Sequence, residues 1–367
     1  MSKIWDVAIV GSGPAGSMAA STMAKNGFDT VLIEKDKLPR YKVCGGAIPQ
    51  EFVESIKIPD DIIERKFDSL ILHHLGDEIY RKGEGACVWR SDLDKFMTDL
   101  AVNANATVLE GTKIIKTGFK NQIFTLYTKN SKILSKILIA ADGVPSTVLK
   151  SFGWKSFAKN DIAQTLTYEI KLSEKIINER LGETSMHLYF GKKEICDIGY
   201  AWLFPKREVI SVGWGCELSR IKNVREEFQN FLKIVKNIIK EGKIIKKAAH
   251  LVPVGFQEKF HDDGLIAVGD AAGFVDPLSG KGIAYAANSG VIAGKVIIKA
   301  LEEEDKQIIS KLYEKELNKE FLNALKAKKR IQPDVYKSDE NIRRFLNLWK
   351  DNRSTIIALK LWNLKDN

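Results

Sequence analysis

One run near the start limits the fold more than any other part of the chain. "DVAIVGSGPAGSMAASTMAKNGFDTVLIEK" reads as a buried strand over residues 7–10, a glycine-rich turn, a helix over about 14–26 and a second buried strand. Gly27 stands where a helix C-cap is wanted. Gly11, Gly13 and Gly16 have G-x-G-x-x-G spacing, and Glu34 closes the second strand. This is the opening of a parallel α/β unit, in which glycines let the backbone approach a pyrophosphate. The helix N-terminus favours that anion through its unpaired N–H groups and its dipole. Glu34 is placed to accept hydrogen bonds from ribose hydroxyls. A dinucleotide site is therefore expected at Gly11, Gly13 and Gly16, with Ala15, Glu34 and Lys35 beside them. The competing reading is a glycine turn that holds no ligand.

Composition narrows the partners. The 367 residues carry a net charge of +10, with 44% hydrophobic and 28% charged residues, ordinary values for a soluble protein. The first strand lies almost at Met1, so no signal peptide is expected, and no apolar run approaches the roughly 18–20 residues of a membrane span. The four cysteines, Cys44, Cys87, Cys196 and Cys216, form no CxxC or CxH pair, so no metal site is expected and free thiols in a cytoplasmic protein are the simpler reading. The positive charge suits nucleic acid, a phosphorylated small molecule or an anionic membrane surface. Its lysines are spread along the chain, which weighs against nucleic acid.

Further on, "WRSDLDKFMTDLAVNA" places Leu93, Phe96, Met97 and Leu100 on one helical face. Residues 165–215 alternate as antiparallel strands do, and "GLIAVGDAAG" returns to a buried strand that enters a glycine-rich loop and a helix. From about Asp305 the sequence is helical and Lys-rich. Tyr200, Trp202 and Phe204 alternate along one strand and share a face. Such a wall suits a long apolar ligand; it is equally what ordinary sheet core looks like.

Three separated motifs supply a resemblance. "IAADGVPS", with Asp142 and Gly143, resembles the DG motif of flavoprotein hydroxylases, and "LIAVGDAAGFVDPLSGKGI", with Asp270, resembles their GD motif. The resemblance implies FAD: Asp270 at its ribityl and pyrophosphate region, Gly280, Lys281, Gly282 and Ile283 against the flavin, Arg90 reaching the phosphates, and the Ile114 backbone by the adenine. "YAWLFPKREVISVGWG" then resembles the Y-x-W-x-F-P…G-x-G pattern of the geranylgeranyl reductase family, as does "CGGAIP". This family saturates isoprenoid chains of archaeal-type membrane lipids and of chlorophyll. It implies a substrate site at Tyr200, Trp202, Phe204, Pro205, Gly213 and Gly215. Two residues depart from the pattern: Lys281 stands where Gly or Glu is usual, and Lys150 where Arg is common.

The expected architecture is a hydroxylase-type flavoprotein. A Rossmann-like FAD domain is drawn from 1–70, 86–155 and 255–300, an antiparallel-sheet substrate domain from 71–85 and 156–254, and a helical region from 301–367. The expected reaction is protonation of an isolated C=C bond with hydride transfer from reduced flavin, on a geranylgeranyl lipid or its diphosphate precursor. Its electrons come from NAD(P)H or a redox protein, since no second G-x-G-x-x-G is present. A prenyl-quinone reductase, a monooxygenase or halogenase, and a prenyl-binding carrier are the alternatives. In "KVCGGAI", Gly45 and Gly46 would give the backbone room beside the flavin, with Cys44 either the proton donor or a spacer. The protein is expected to be a monomer, cytoplasmic or peripheral at the inner membrane face. The stretch at 343–365, with Trp349, Ile357, Leu361 and Trp362 among basic residues, reads as an interfacial helix or as a helix docked on the body.

Overall fold

The computed structural model describes residues 3–192 and 194–350. They form two compact units, each drawn from three stretches: Met1–Tyr41, Ser91–Ala158 and Pro253–Leu325 in the first, and Lys42–Arg90, Lys159–Val252 and Lys326–Asn367 in the second.

The first unit is built on an eight-stranded sheet. Its main path runs His261–Asp262, Leu265–Ala267, Lys132–Ala140, Ile4–Val10, Thr30–Ile33, Thr107–Leu109, and the hairpin Lys116–Lys120/Ile123–Tyr127 pairs onto Lys132–Ala140. The five strands from Leu265–Ala267 to Thr107–Leu109 are parallel, so their carboxyl ends share one edge. The helices Pro14–Lys25 and Ile283–Glu302 pack against each other so closely that a β-carbon on Gly290 would lie 2.0 Å from the Ala15 carbonyl. Gly294 meets Thr22 one turn later, so the two helices run in the same direction. Farther along the chain, Gln307–Leu317 is pinned by Tyr313, fully buried, whose hydroxyl donates to the Ala267 carbonyl at 2.8 Å. That tie places the start of the expected 301–367 helical region within the first unit.

The second unit is a mostly antiparallel eight-stranded sheet in the order Lys243–Pro253, Ile162–Lys171, Val209–Glu217, Gly199–Pro205, Ser185–Phe190, Ile63–His74, Asp77–Val88, Ala47–Pro49. Ser185–Phe190 runs parallel to Ile63–His74. One face buries Ala201, Leu203, Ile210, Val212 and Trp214 beneath Ile177 and Leu181 of the helix Glu174–Leu181 and Phe228 and Phe231 of Val224–Ile234. Trp214 is fully buried and its Nε1 donates to the Ile195 carbonyl at 2.9 Å. Removing a side chain of that size from a core costs about 3–5 kcal/mol.

The unit boundaries differ from the sequence expectation at 42–70 and 86–90. Pairs such as Ala47 with Cys87, and Phe67 with Gly85, draw those residues into the second sheet. The described part of the C-terminal stretch docks within the second unit: Trp349 stacks on Phe345 and meets Phe190 edge-on, while Arg81 lies over its ring and donates to its carbonyl. Ile357, Leu361 and Trp362 lie outside the described residues.

Candidate functional site

In the first unit, four sequence motifs meet at the carboxyl edge of the parallel strands. The three glycines of the turn do different work. Gly11 has φ +105° and no room for a side chain, since a β-carbon would lie 2.3 Å from the Ala141 carbonyl oxygen. Gly16 packs on Gly11, where a β-carbon would lie 1.9 Å from its oxygen. Around Gly13 no atom of the described residues lies within 4 Å of the β-position. Gly13 is also the N-cap of Pro14–Lys25, and no side chain caps it. Its openness and the uncapped helix end are what a pyrophosphate needs, because the first helical N–H groups are left to bind it.

Glu34 follows the second parallel strand, 3% exposed. Its carboxylate accepts from the Ser12 N–H at 3.0 Å, the Ser12 hydroxyl at 2.8 Å and the Asp36 N–H at 3.1 Å, so it latches the glycine turn. Burial alone would raise its carboxyl, but the Arg40 guanidinium and the Ser12 and Asp36 donors hold it below the ordinary range. Arg40 also pairs with the fully buried Asp94 at 3.1 Å. Lys35 is exposed beside this cluster. Ile114 is buried, and just before it Gly111 and Thr112 donate to the Asp36 and Glu34 carbonyls.

Asp142 and Gly143 follow the neighbouring strand, Lys132–Ala140. The Asp142 carboxylate accepts from the Ser146 hydroxyl at 2.6 Å and the Thr147 and Val148 N–H groups at 2.7 and 3.1 Å. Burial pushes its carboxyl up against those donors. It therefore shapes the DG turn and leaves Gly143 (φ +71°) with open space at its β-position. Asp270 sits in the turn Gly269–Ala271, with Oδ1 3.8 Å from the β-position of Gly282. Gly282 is the N-cap of Ile283–Glu302, again without a side-chain cap. Asp276, 2% exposed, builds the Gly280–Lys281 turn: its Oδ1 accepts from Leu278 and Ser279, and its N–H donates to the Lys281 carbonyl. Lys281 itself is exposed. Two parallel, uncapped helix N-termini beside a row of strand ends fit a dinucleotide such as FAD.

In the second unit, Tyr200, Trp202 and Phe204 form a continuous row with Phe190, successive ring centroids lying 5.5, 5.8 and 6.0 Å apart. The row occupies the face opposite the two covering helices. The paired glycines explain the motif's spacing. Gly213 stands directly across from Trp202 and Gly215 across from Tyr200. A β-carbon on Gly213 would lie 2.0 Å from the indole. Pro205 ends the strand and is buried. Thr167, directly across from Gly213 on its other side, is fully buried, and neither its hydroxyl nor the Trp202 Nε1 has a hydrogen-bond partner among the described residues.

The Cys44–Gly46 turn rests on the end of this row. A β-carbon on Gly45 would lie 2.3 Å from the Phe204 ring, and one on Gly46 (φ +82°) 2.1 Å from the Val88 carbonyl oxygen. Both glycines are thus required by the protein's own packing. The Gly46 N–H donates to the Cys44 sulfur at 3.4 Å. Cys44 is half-buried, whereas Cys87, Cys196 and Cys216 are buried, and all four thiols are free of disulfides. Burial pushes the Cys87 thiol up to about 12. Arg90 is the first residue of the helix Arg90–Asn103.

The description "FAD binding domain" matches residues 82–324, and "FAD dependent oxidoreductase" matches 6–143. The digeranylgeranylglycerophospholipid reductase of Methanococcus vannielii is 35% identical over 331 residues, covering 83% of this chain and 80% of that protein. The chain belongs to the geranylgeranyl reductase family. It is an FAD-dependent oxidoreductase with the hydroxylase-type flavoprotein fold. The chloroplastic geranylgeranyl diphosphate reductase of Nicotiana tabacum is 32% identical, covering 81% of this chain and 66% of that one. Among solved structures, a geranylgeranyl bacteriochlorophyll reductase-like protein from Thermoplasma acidophilum superposes with a TM-score of 0.87 at 26% identity, covering 98% and 95% of the two chains. As a geranylgeranyl reductase, the chain binds FAD as its cofactor.

Sequence reasoning missed Ser12, Arg40, Asp94 and Asp276, whose partners are set by the folded turn rather than by spacing. It also missed Lys206, described below.

Proposed function

We propose that this reductase saturates isolated C=C bonds in a geranylgeranyl chain carried by a membrane phospholipid or a diphosphate precursor. The observation that carries the reading is the aromatic row Phe190–Tyr200–Trp202–Phe204, with glycines opposite two of its rings. It offers a long chain apolar surface and few hydrogen bonds, as a flexible hydrocarbon requires. The first unit would hold the cofactor, through Gly11, Gly13, Ala15, Gly16, Glu34, Lys35, Ile114, Asp142, Gly143, Asp270 and Gly280 to Ile283, while Arg90, Cys44, Gly45 and Gly46 belong to the second unit.

An isolated trisubstituted alkene has no carbonyl to accept electrons, so addition starts with a proton on the less substituted carbon. FAD, when bound and reduced, supplies the hydride that the other, cation-like carbon accepts. The Cys44 thiol holds the proton: Gly46 donates to its sulfur, which leaves the S–H free to point elsewhere. The aromatic row orients the chain and excludes water that would trap the cation. Lys281 brings a positive charge that favours an anionic reduced cofactor, and Lys281→Gly should lower its reduction potential; an unchanged potential removes that role. NAD(P)H or a redox protein supplies the electrons.

The protein acts as a monomer that meets the membrane peripherally, consistent with its charge of +10. No helix among the described residues is long and apolar enough to cross a membrane. Salt-sensitive co-sedimentation with anionic vesicles supports that contact; equal binding to neutral vesicles opposes it.

The deciding experiment reduces the protein with dithionite and adds a geranylgeranyl phospholipid, geranylgeranyl diphosphate or a prenylated quinone. Mass spectrometry should find one added H2 per saturated bond. No product from the first two substrates rejects the reading, and product from the quinone alone reassigns the substrate. Cys44→Ala and Cys44→Ser should keep FAD and lose turnover by about 10²–10⁴-fold, the usual weight of a positioned acid. Near-normal turnover in Cys44→Ala makes the residue a spacer.

A further inference from the structure

Lys206 lies in "FPKRE", between a strand end and two exposed residues, yet it is 1% exposed. A buried ammonium needs partners, and the second unit surrounds it with them. Its Nζ donates to the Ser211 hydroxyl and, at 3.2 Å, to the Gly45 carbonyl. Ser211 in turn donates to Glu169 Oε2 at 2.5 Å, and that carboxylate, also 1% exposed, lies 3.9 Å from Nζ. The Trp89 ring closes another side, its centroid 4.3 Å from Nζ. The Lys206 backbone is clamped as well: Arg65 donates to its carbonyl through Nε at 3.3 Å and Nη2 at 3.2 Å, and Arg65 is itself held by Asn178 and the Glu183 carbonyl. The lysine is thus fixed at both ends, and through the Gly45 carbonyl it grips the turn that carries Cys44.

That turn has no regular pairing of its own until Ala47. Among the contacts that hold it are Lys206 on the Gly45 carbonyl, Phe204 and Trp202 against the Gly45 backbone, and the Val88 N–H on the Gly46 carbonyl at 3.0 Å. The first is charge-assisted, and such bonds are shorter and about twice as strong as neutral ones. We propose that Lys206 is a positioning residue, which sets the orientation of the Cys44 thiol by holding the Gly45 carbonyl, with Glu169 and Ser211 keeping the buried charge balanced. The proposal rests on reading Cys44 as the proton donor for its importance, but not for its test.

Cys44 supplies its own reporter, because it is the one half-buried thiol and the other three cysteines are buried. Alkylation of the FAD-loaded protein by iodoacetamide should modify one thiol per chain. Lys206→Met alone would leave the buried Glu169 carboxylate without that ammonium, so the variant is Lys206→Met/Glu169→Gln, which removes both charges. It should still react at one thiol, at a rate about tenfold different from the parent, equivalent to about 1.4 kcal/mol of lost restraint. Ser211→Ala, which keeps both charges and removes only the bridge, should move the rate the same way by a smaller factor. If the double variant reacts at all four thiols it has unfolded, and Ser211→Ala decides alone. One-thiol reaction within twofold of the parent rate in the folded variants overturns the proposal. This outcome is separate from turnover: a spacer Cys44 would leave the alkylation result standing.

Discussion

The indole of Trp202 lies over Gly213, the residue directly across from it on the next strand, where a β-carbon would come within 2.0 Å of the ring. Gly213→Ala therefore forces the indole off its place in the aromatic row. Overpacking of this kind costs about 1–3 kcal/mol, visible in the urea midpoint. FAD content should be unchanged, because the glycine belongs to the second unit. The KM for an isoprenoid substrate should rise several-fold; a normal KM would show that the row does not hold the chain.

Two glycines of the nucleotide turn should fail in opposite ways. Gly13 has open space and φ −72°, a value alanine adopts easily. Gly13→Ala should leave the stability of the FAD-free protein within about 1 kcal/mol and weaken FAD by tenfold or more. Gly16→Ala drives a β-carbon into the Gly11 oxygen and should destabilise the FAD-free protein by more than about 2 kcal/mol. Thermal melts with and without FAD separate the two. Equal FAD affinity in Gly13→Ala would mean the pyrophosphate lies elsewhere.

Acid stability should depend on a histidine pair away from the motifs. His73 stacks on Tyr189 and shares a 2.9 Å hydrogen bond with His187, whose other nitrogen faces the Leu181 carbonyl. Burial, aided by His187, lowers His73 from 6.5 to about 4. The unfolded chain thus binds a proton that the folded one refuses. The contribution is fully present above about pH 6.5 and is lost as pH falls through 4, up to about 3 kcal/mol. His73→Phe keeps a ring on Tyr189 and should flatten the stability profile between those limits. An unchanged acid limb would exclude His73 as its origin.

Gly290→Ala tests whether the two parallel helices act as one cofactor wall. Its β-carbon would meet the Ala15 oxygen at 2.0 Å and push the helices apart at their N-terminal ends. FAD affinity should fall at least tenfold although no motif residue has changed. Unaltered affinity would show that the helix ends bind independently.

What could be read from sequence was local. The strand–turn–helix at 4–25 follows from apolar runs and glycine spacing within a few residues, and Tyr200, Trp202 and Phe204 reveal a shared face through alternation alone. Lys206 could not be read this way. Beside Arg207 and Glu208 it resembles a solvated turn, and its burial depends on Gly45, 161 residues distant along the chain. Gly45 and Gly46 carry the same lesson. Their spacing suggested room for a cofactor, while the atoms that forbid a side chain there belong to Phe204 and Val88. The expected 1–70 boundary missed the move to the second unit at Lys42 because "KVCGGAIPQEF" has no alternation to announce a strand, and its partner is Cys87.

The packing of Gly290 on Ala15 also bears on how the protein is made. In a nascent chain the glycine turn emerges well ahead of the helix that completes the nucleotide wall, which begins only at Ile283. At roughly 5–20 residues per second, the ribosome needs something like ten to sixty seconds to deliver it. Through that interval the strand Ile4–Val10 and the helix Pro14–Lys25 lack the partner that covers them, so cofactor loading waits for Ile283–Glu302 to emerge.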